Sequence, residues 1–203
     1  MYIVCSDLEG VFIPEIWINV AEKTGIDELK LTTRDISDYN VLMKRRLEIL
    51  SENKLTIHDI RKVISSINPL PGATEFLDWL RKQTQLIIVS DTYKEFAGPL
   101  LEQMGRPTLF CNHLTIDNQG NITGYNLRQQ DGKRKVVEAL QSLNFKVIAI
   151  GDSYNDIAML RKAELGILYC PPPNVINDHK DLPVVNSYSE LKHLISGKLD
   201  QEA

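Results

Sequence analysis

Asp7-Leu8-Glu9-Gly10-Val11 sets two carboxylates two positions apart, directly after the apolar run Tyr2 to Cys5. In an extended chain, residues i and i+2 point the same way, so Asp7 and Glu9 can address one crevice while Gly10 allows a sharp turn. Two solvated acids at a strand end would read the same from this segment alone. Ser90-Asp91-Thr92 follows a second apolar run, Leu86 to Val89, and precedes a helical pattern. A hydroxyl or acid there serves as an N-cap, and the free amides of a helix start also bind anions, so capping and phosphate binding share one geometry. Gly151-Asp152-Ser153-Tyr154-Asn155-Asp156 follows a third run, Val147 to Ile150, and crowds carboxylates, an amide and a hydroxyl where a cap needs only one of them. Lys133, in Asp131-Gly132-Lys133-Arg134, precedes the helical pattern that feeds the third run; by itself it reads as a surface lysine.

The combination is more specific than its parts. Ligands of a parallel sheet bind outside the carboxyl ends of its strands, and all these groups converge there. Clustered carboxylates attract a hard divalent cation, for which Mg²⁺ is the default when phosphate oxygens and water complete the shell. The chain has no Gly-x-x-x-x-Gly-Lys-Ser/Thr stretch and no Gly-x-Gly-x-x-Gly after a strand, which argues against nucleoside-triphosphate cradles and dinucleotide folds.

The positioning elements follow from periodicity. Tyr2 to Cys5, Leu86 to Val89, Val147 to Ile150 and Leu165 to Leu168 read as strands buried on both faces. Helical patterns at Ala73 to Lys82, Glu95 to Met104, Arg134 to Leu143 and Asn155 to Ala163 lie between or after them. This alternation predicts an α/β fold: a Rossmann-like parallel sheet flanked by helices. The detour between the first two strands is too long for one crossover and carries helical patterns at Glu15 to Thr24, Val41 to Leu50 and Ile57 to Ile67. Residues 15–68 therefore read as a helical cap inserted after the first strand, and residues 1–14 with 69–203 as the core. His113 to Leu127 reads as a hairpin around Asn118-Gln119-Gly120-Asn121, Tyr188 to Ile195 as a closing helix, and Lys198 to Ala203 as a frayed end.

Composition narrows the class. With 23 Lys and Arg against 27 Asp and Glu, the net charge of −4 implies no broad basic surface and no nucleic-acid partner. No apolar run approaches membrane-spanning length, and the Met1 start leads into no basic or small-residue signal pattern. Cys5, Cys111 and Cys170 are odd in number and each adjoins an apolar run, which fits reduced thiols in a cytoplasmic protein. His58, His113, His179 and His193 fall in no metal-ligand spacing. Trp17, Tyr39 and Trp79 read first as helix packing, with Trp17 and Tyr39 also able to line a pocket in the cap. The oligomeric state is open.

The ordered set resembles the haloacid-dehalogenase-like phosphohydrolases: Asp-x-Asp-Gly-Val/Thr at Asp7 to Val11, a Ser after a strand at Ser90, a Lys at Lys133 and Gly-Asp-x-x-x-Asp at Gly151 to Asp156. The similarity spans essentially the whole chain and is nearest to the phosphoserine phosphatase type. Within it, Asp-Leu-Glu-Gly-Val, Pro14 to Trp17 and Arg45-Arg46 look like the bifunctional phosphoserine phosphatase/homoserine phosphotransferase subgroup. The resemblance implies Asp7 as nucleophile, Glu9 as general acid and base, and Mg²⁺ held by the Asp7 and Asp152 carboxylates and the Glu9 carbonyl. It further implies that Ser90, the amide of Asp91, Lys133 and Asn155 serve the phosphoryl group, and that Glu15 and Arg46 read the ammonium and carboxylate of phosphoserine, with Arg45 the rival of Arg46. An unperturbed Asp7, near pH 3.9, would be ionised at neutral pH. Two other functions stay open at this level: a phosphatase of another small ester, and a phospho-accepting receiver. Against the receiver stand Asp7 on the first strand, the cap-sized insertion and Gly151 to Asp156.

Overall fold

Apolar runs without polar alternation need cover on both faces. In the computed structural model these runs form the centre of one seven-stranded sheet with helices on either side. Residues 1–32, 35–36 and 38–201 are described. In chain order the elements are β1 (Tyr2–Ser6), α1 (Ile16–Thr24), a 3-10 turn (Asp27–Lys30), α2 (Tyr39–Glu52), α3 (Ile57–Ile64), α4 (Ala73–Gln83), β2 (Gln85–Tyr93) and α5 (Lys94–Gln103). There follow β3 (Thr108–Ile116), β4 (Ile122–Asn126), α6 (Gly132–Ser142), β5 (Lys146–Gly151), a 3-10 turn (Tyr154–Asp156), α7 (Ile157–Lys162), β6 (Leu165–Tyr169), α8 (Pro173–Asp178), β7 (Val184–Val185) and α9 (Tyr188–Asp200). The sheet order is β4-β3-β2-β1-β5-β6-β7, and every pairing is parallel except β3 with β4. This is the expected Rossmann-like α/β architecture. No helix among the described residues is long and apolar enough to cross a membrane.

Three strands escape the apolar-run criterion. The hairpin at residues 113–127 forms, but its first strand begins earlier: β3 starts at Thr108 and pairs parallel with β2 before turning into the hairpin. Leu109, Phe110 and Cys111 are only partly buried near this sheet edge, so an apolar run is broken by polar residues. β7 is two residues long, below any periodic signal. The C-terminal helix continues to Asp200 instead of fraying from Lys198; Glu202 and Ala203 lie outside the described residues.

Residues 15–68 carry α1, α2 and α3. Asp38 caps α2 by accepting from the Asn40 and Val41 amides, and a Thr56/Asp59 capping box starts α3. Their apolar faces do not form a separate core. Val20, Leu50 and Ile60 belong to one buried cluster with Phe96 and Leu100 of α5, and the Ile57 amide donates to the Gly120 carbonyl at the hairpin tip at 2.9 Å. A second cluster, with Cys5, Val137 and Met159, fills the opposite face of the sheet.

Gly166 on β6 lies directly under α7, where a Cβ would overlap the Leu160 carbonyl oxygen. Gly166→Ala should lower unfolding stability by about 1–3 kcal/mol through overpacking. Gly197 in α9 faces open space, so Gly197→Ala should raise stability by about 0.5–1 kcal/mol. Urea midpoints at unchanged m-value test both, and equal midpoints for the two variants would contradict the packing.

Candidate active site

β1 sits where the strand order reverses, with β2 on one side and β5 on the other. In such sheets that position opens a crevice at the carboxyl ends of the strands. The register sets Ser6 opposite both Ile88 and Ile150, so the chain leaves all three strands at one height. Asp7 follows β1, Ser90 and Asp91 lie at the end of β2, and Asp152 follows β5. Gly10, at φ +75°, makes the turn and admits a neighbour: a Cβ there would meet the Asp152 carboxyl at 2.5 Å.

The floor of the crevice is a buried ammonium among carboxylates. Lys133, in the first turn of α6, is 4% exposed, and its Nζ lies 3.0 Å from Asp7 Oδ2, 2.8 Å from Asp156 Oδ1 and 3.8 Å from Asp91 Oδ2. The expectation of a surface lysine, drawn from Lys133 alone, is thus overturned by its neighbours. Burial works to lower its pKa, but Asp156, Asp7 and Asp91 outweigh burial and hold it above the usual lysine range. Asp156 is fully buried, and its other oxygen accepts from the Asp152 and Ser153 amides at 3.0 and 3.1 Å.

Carboxylates crowd this floor. Oxygens of Asp7, Asp152 and Asp156 lie within 4.8 Å of one another, and among the described residues the Lys133 ammonium bonds Asp7 and Asp156. Burial first, opposed by Lys133, raises the Asp7 carboxyl well above the carboxylate range, with Asp156 and Asp152 adding to the rise. Asp152 is pushed up to about 7 by burial, then by Asp156 and Glu15. An Asp7 ionised at its unperturbed value, the reading from sequence alone, therefore does not hold for the chain by itself. Such a donor set, all oxygen and rich in carboxylates, fits a hard divalent cation.

A cavity of about 760 Å³ opens above this floor. Asp7, Glu9, Ser90, Asp91, Lys133, Asp152, Asn155, Glu15 and Arg46 all line it. The Glu9 carboxylate accepts from the Ile16 amide at 2.8 Å, and burial, then the Glu15 charge, raises it to about 8. Ser90 Oγ accepts from the Thr92 amide at 3.1 Å. Asn155 Nδ2 donates to Asp91 Oδ2 at 3.0 Å, which ties the loop after β5 to the end of β2. Glu15 stands at the N-cap of α1 without a side-chain cap bond.

Arg46 and its neighbour separate cleanly. Arg45 is exposed and pairs with Glu48 at 3.7 Å, whereas Arg46 is 7% exposed and faces the cavity. Arg46 Nη2 donates to the Leu31 carbonyl at 2.8 Å, and its guanidinium lies 4.6 Å from the Trp17 ring centroid. Arg46 Nε is buried without a partner among the described residues. An unmet buried donor costs about 1–3 kcal/mol, so the guanidinium is held in this wall with one N–H unsatisfied. Sequence reasoning gave Asp156 no role and left Trp17 and Tyr39 chiefly to packing. Trp17 and Tyr39 both line the cavity, and Tyr39 Oη meets Tyr93 Oη at 2.7 Å.

Fold and site define a Rossmann-like α/β enzyme with an acidic crevice beneath a helical insertion. The chain belongs to the haloacid dehalogenase-like hydrolases, whose family description matches residues 8–164. Among similar proteins, the phosphoserine phosphatase ThrH of Pseudomonas aeruginosa is 56% identical over 192 residues, covering 95% of this chain and 94% of the relative. A phosphoserine phosphatase of Pseudomonas syringae pv. tomato is 54% identical over 190 residues, covering 94% and 80%. A solved structure described as a phospho-aspartyl intermediate analogue of phosphoserine phosphatase shares the fold with a TM-score of 0.76 at 22% identity, covering 94% of this chain and 97% of that one.

The raised Asp152 carboxyl predicts how stability follows pH. Asp152, raised to about 7 in the folded chain against about 3.9 unfolded, binds more protons folded than unfolded between these values. Its contribution is therefore present below about pH 4 and is lost as pH rises through about 7. Urea midpoints in chelator should show this fall, Asp152→Asn should flatten it, and Mg²⁺ should raise the midpoint most at the alkaline end. A midpoint indifferent to Mg²⁺ at pH 8 would count against a cation site.

Proposed function

We propose that this protein is a Mg²⁺-dependent phosphoserine phosphatase that works through a phosphoryl group carried on Asp7, and that it also passes this group to homoserine. The carrying observation is the Asp7 carboxyl 3.0 Å from the buried Lys133 ammonium, on the floor of a cavity that Glu15 and Arg46 also line. The names of the two Pseudomonas relatives support the substrate. Serine and homoserine carry the same ammonium and carboxylate, so one pairing of Glu15 with Arg46 serves both. In this reading residues 15–68 cap a core made of residues 1–14 and 69–203. Three free cysteines, Cys5 of them buried, fit a reducing cytoplasm.

The chemistry is phosphoryl transfer in two displacements. The Asp7 carboxylate attacks phosphorus, the bond from phosphorus to the serine oxygen breaks, and that oxygen takes the proton of Glu9. Burial and the Glu15 charge keep that proton on Glu9 at neutral pH, as a general acid needs. Glu9, now a carboxylate, withdraws a proton from water or from the homoserine hydroxyl. The resulting oxygen attacks phosphorus, the bond to Asp7 breaks, and phosphate or phosphohomoserine leaves. A carboxylate about 4 Å from one phosphate charge is opposed by roughly 4 kcal/mol at an effective dielectric of 20. Lys133 offsets part of this, while Ser90, the Asp91 amide and Asn155 hold the phosphoryl oxygens. Mg²⁺, held by the Asp7 and Asp152 carboxylates and the Glu9 carbonyl, would keep Asp7 ionised and neutralise phosphoryl charge. Asp156 has both oxygens occupied by Lys133 and by backbone amides, and so serves as an anchor of the site.

Phosphate release from phosphoserine in Mg²⁺ tests the reading. Asp7→Asn should reduce kcat by at least about 1,000-fold, and Arg46→Ala should raise KM about 10- to 100-fold with a smaller change in kcat. Full turnover by Asp7→Asn would overturn the nucleophile, and equal turnover of many unrelated phosphate esters would overturn the substrate. With homoserine present, Glu9→Asp should shift products toward free phosphate, because the shorter acid changes where the acceptor is activated. An unchanged ratio of phosphate to phosphohomoserine would remove Glu9 as the determinant of transfer.

A further inference from the structure

Trp17 lines the cavity, and its chemistry is not used by the reaction above. It lies on α1, is 8% exposed, and carries the Arg46 guanidinium 4.6 Å above its ring centroid. Arg46 comes from α2, so the contact joins two helices of residues 15–68. The ring is itself held from below: Phe96 of α5 meets it edge-on, with centroids 5.7 Å apart and planes at 73°. Phe96 in turn meets Tyr93, whose hydroxyl bonds that of Tyr39. An arginine side chain has many rotamers, and three contacts hold this one: the Leu31 carbonyl on Nη2, the weakly accepting Met43 sulfur on Nη1 at 3.7 Å, and the Trp17 face beneath the cation. Nε is buried without a hydrogen-bond partner among the described residues, so it does not help to fix the side chain.

We propose that Trp17 is a positioning residue for Arg46: its aromatic face fixes the guanidinium in the cavity wall, in the orientation that reads the substrate carboxylate. The inference rests on the reading of Arg46 given above and adds a separate cause for its geometry. A ring that merely filled space would be replaceable by any apolar group of similar volume. A ring that holds a cation depends on the negative charge of its face, which fluorination withdraws with little change of shape. Substrate affinity should follow that charge, whereas the reacting atoms at Asp7 and Lys133 should not.

The test uses the full chain with Mg²⁺. Trp79→Phe removes the chain's other tryptophan, and mono-, di- and trifluorinated tryptophan are then incorporated at position 17. KM for phosphoserine should rise stepwise along the series, by about 3- to 30-fold in total, with kcat inside about twofold. In an Arg46→Ala background KM should already be high and should not respond to fluorination. Trp17→Phe, whose ring face is weaker than that of indole, should fall within the fluorinated series, and Trp17→Leu should match or exceed the trifluorinated protein. A KM that is flat along the series, or that climbs equally without Arg46, overturns the positioning role while leaving the proposed function intact. If Arg46→Ala leaves KM unchanged, the reading of Arg46 fails, and this inference falls with it.

Discussion

One buried ammonium shared by carboxylates from different parts of the chain sets the terms for the rest of the molecule. Each ion pair at about 3 Å is worth roughly 5 kcal/mol at an effective dielectric of 20, which offsets the cost of burying Lys133 but cannot balance every acid around it. The arrangement needs Asp7 from β1, Lys133 from α6 and Asp156 after β5 to reach one point. A slip of one residue in either strand pairing of β1 would turn a carboxylate into the apolar face of the sheet and leave the lysine buried and unpaired. The long apolar strands are therefore more than cover for the core. They fix the heights at which the charges emerge.

The segment after β5 couples structure to electrostatics most tightly. Asp156 holds the ammonium with one oxygen and the loop amides with the other, so the same side chain shapes the turn and sets the charge. Removing it would leave an uncompensated cation and unmet amides together, which is why its loss should not resemble the loss of a simple helix cap. The acid that closes the capping box with Ser153 is thus the acid that anchors the Lys133 ammonium.

The strand-end groups were legible because the parallel sheet turns a linear pattern into a place. An apolar run followed at once by Asp, Ser or Gly-Asp marks the same edge each time, and Asp7, Ser90 and Asp152 emerge there together. Lys133 was legible only by its company, since nothing local distinguishes it from a solvated lysine at a helix start. The roles of Asp156 and Trp17 were hidden for a different reason. Each depends on a partner far along the chain, Lys133 for one and Arg46 with Phe96 for the other, and no spacing encodes such meetings. Which of Arg45 and Arg46 lines the cavity likewise depends on which face of α2 turns to it, and a linear pattern of two adjacent arginines does not tell them apart. The parallel half of β3 was lost because an edge strand alternates weakly and its hairpin half carries the clearer signal.

Glu9 brings these threads together. An aspartate at this position would end one methylene sooner, whereas the glutamate carboxyl reaches the first amide of α1 and accepts from Ile16 at 2.8 Å. That amide belongs to the start of the helical insertion, and α1 also carries Trp17. The group that would move the proton is thus fastened to the element that supports Arg46. Displacing α1 would lengthen the bond to Glu9 and withdraw the ring beneath the guanidinium in one movement. Burial and Glu15 raise the Glu9 carboxyl while the Ile16 amide lowers it, so its readiness to give a proton depends on where α1 stands. In the proposed reaction, substrate reading and proton transfer would therefore be mechanically coupled through the first turn of a single helix.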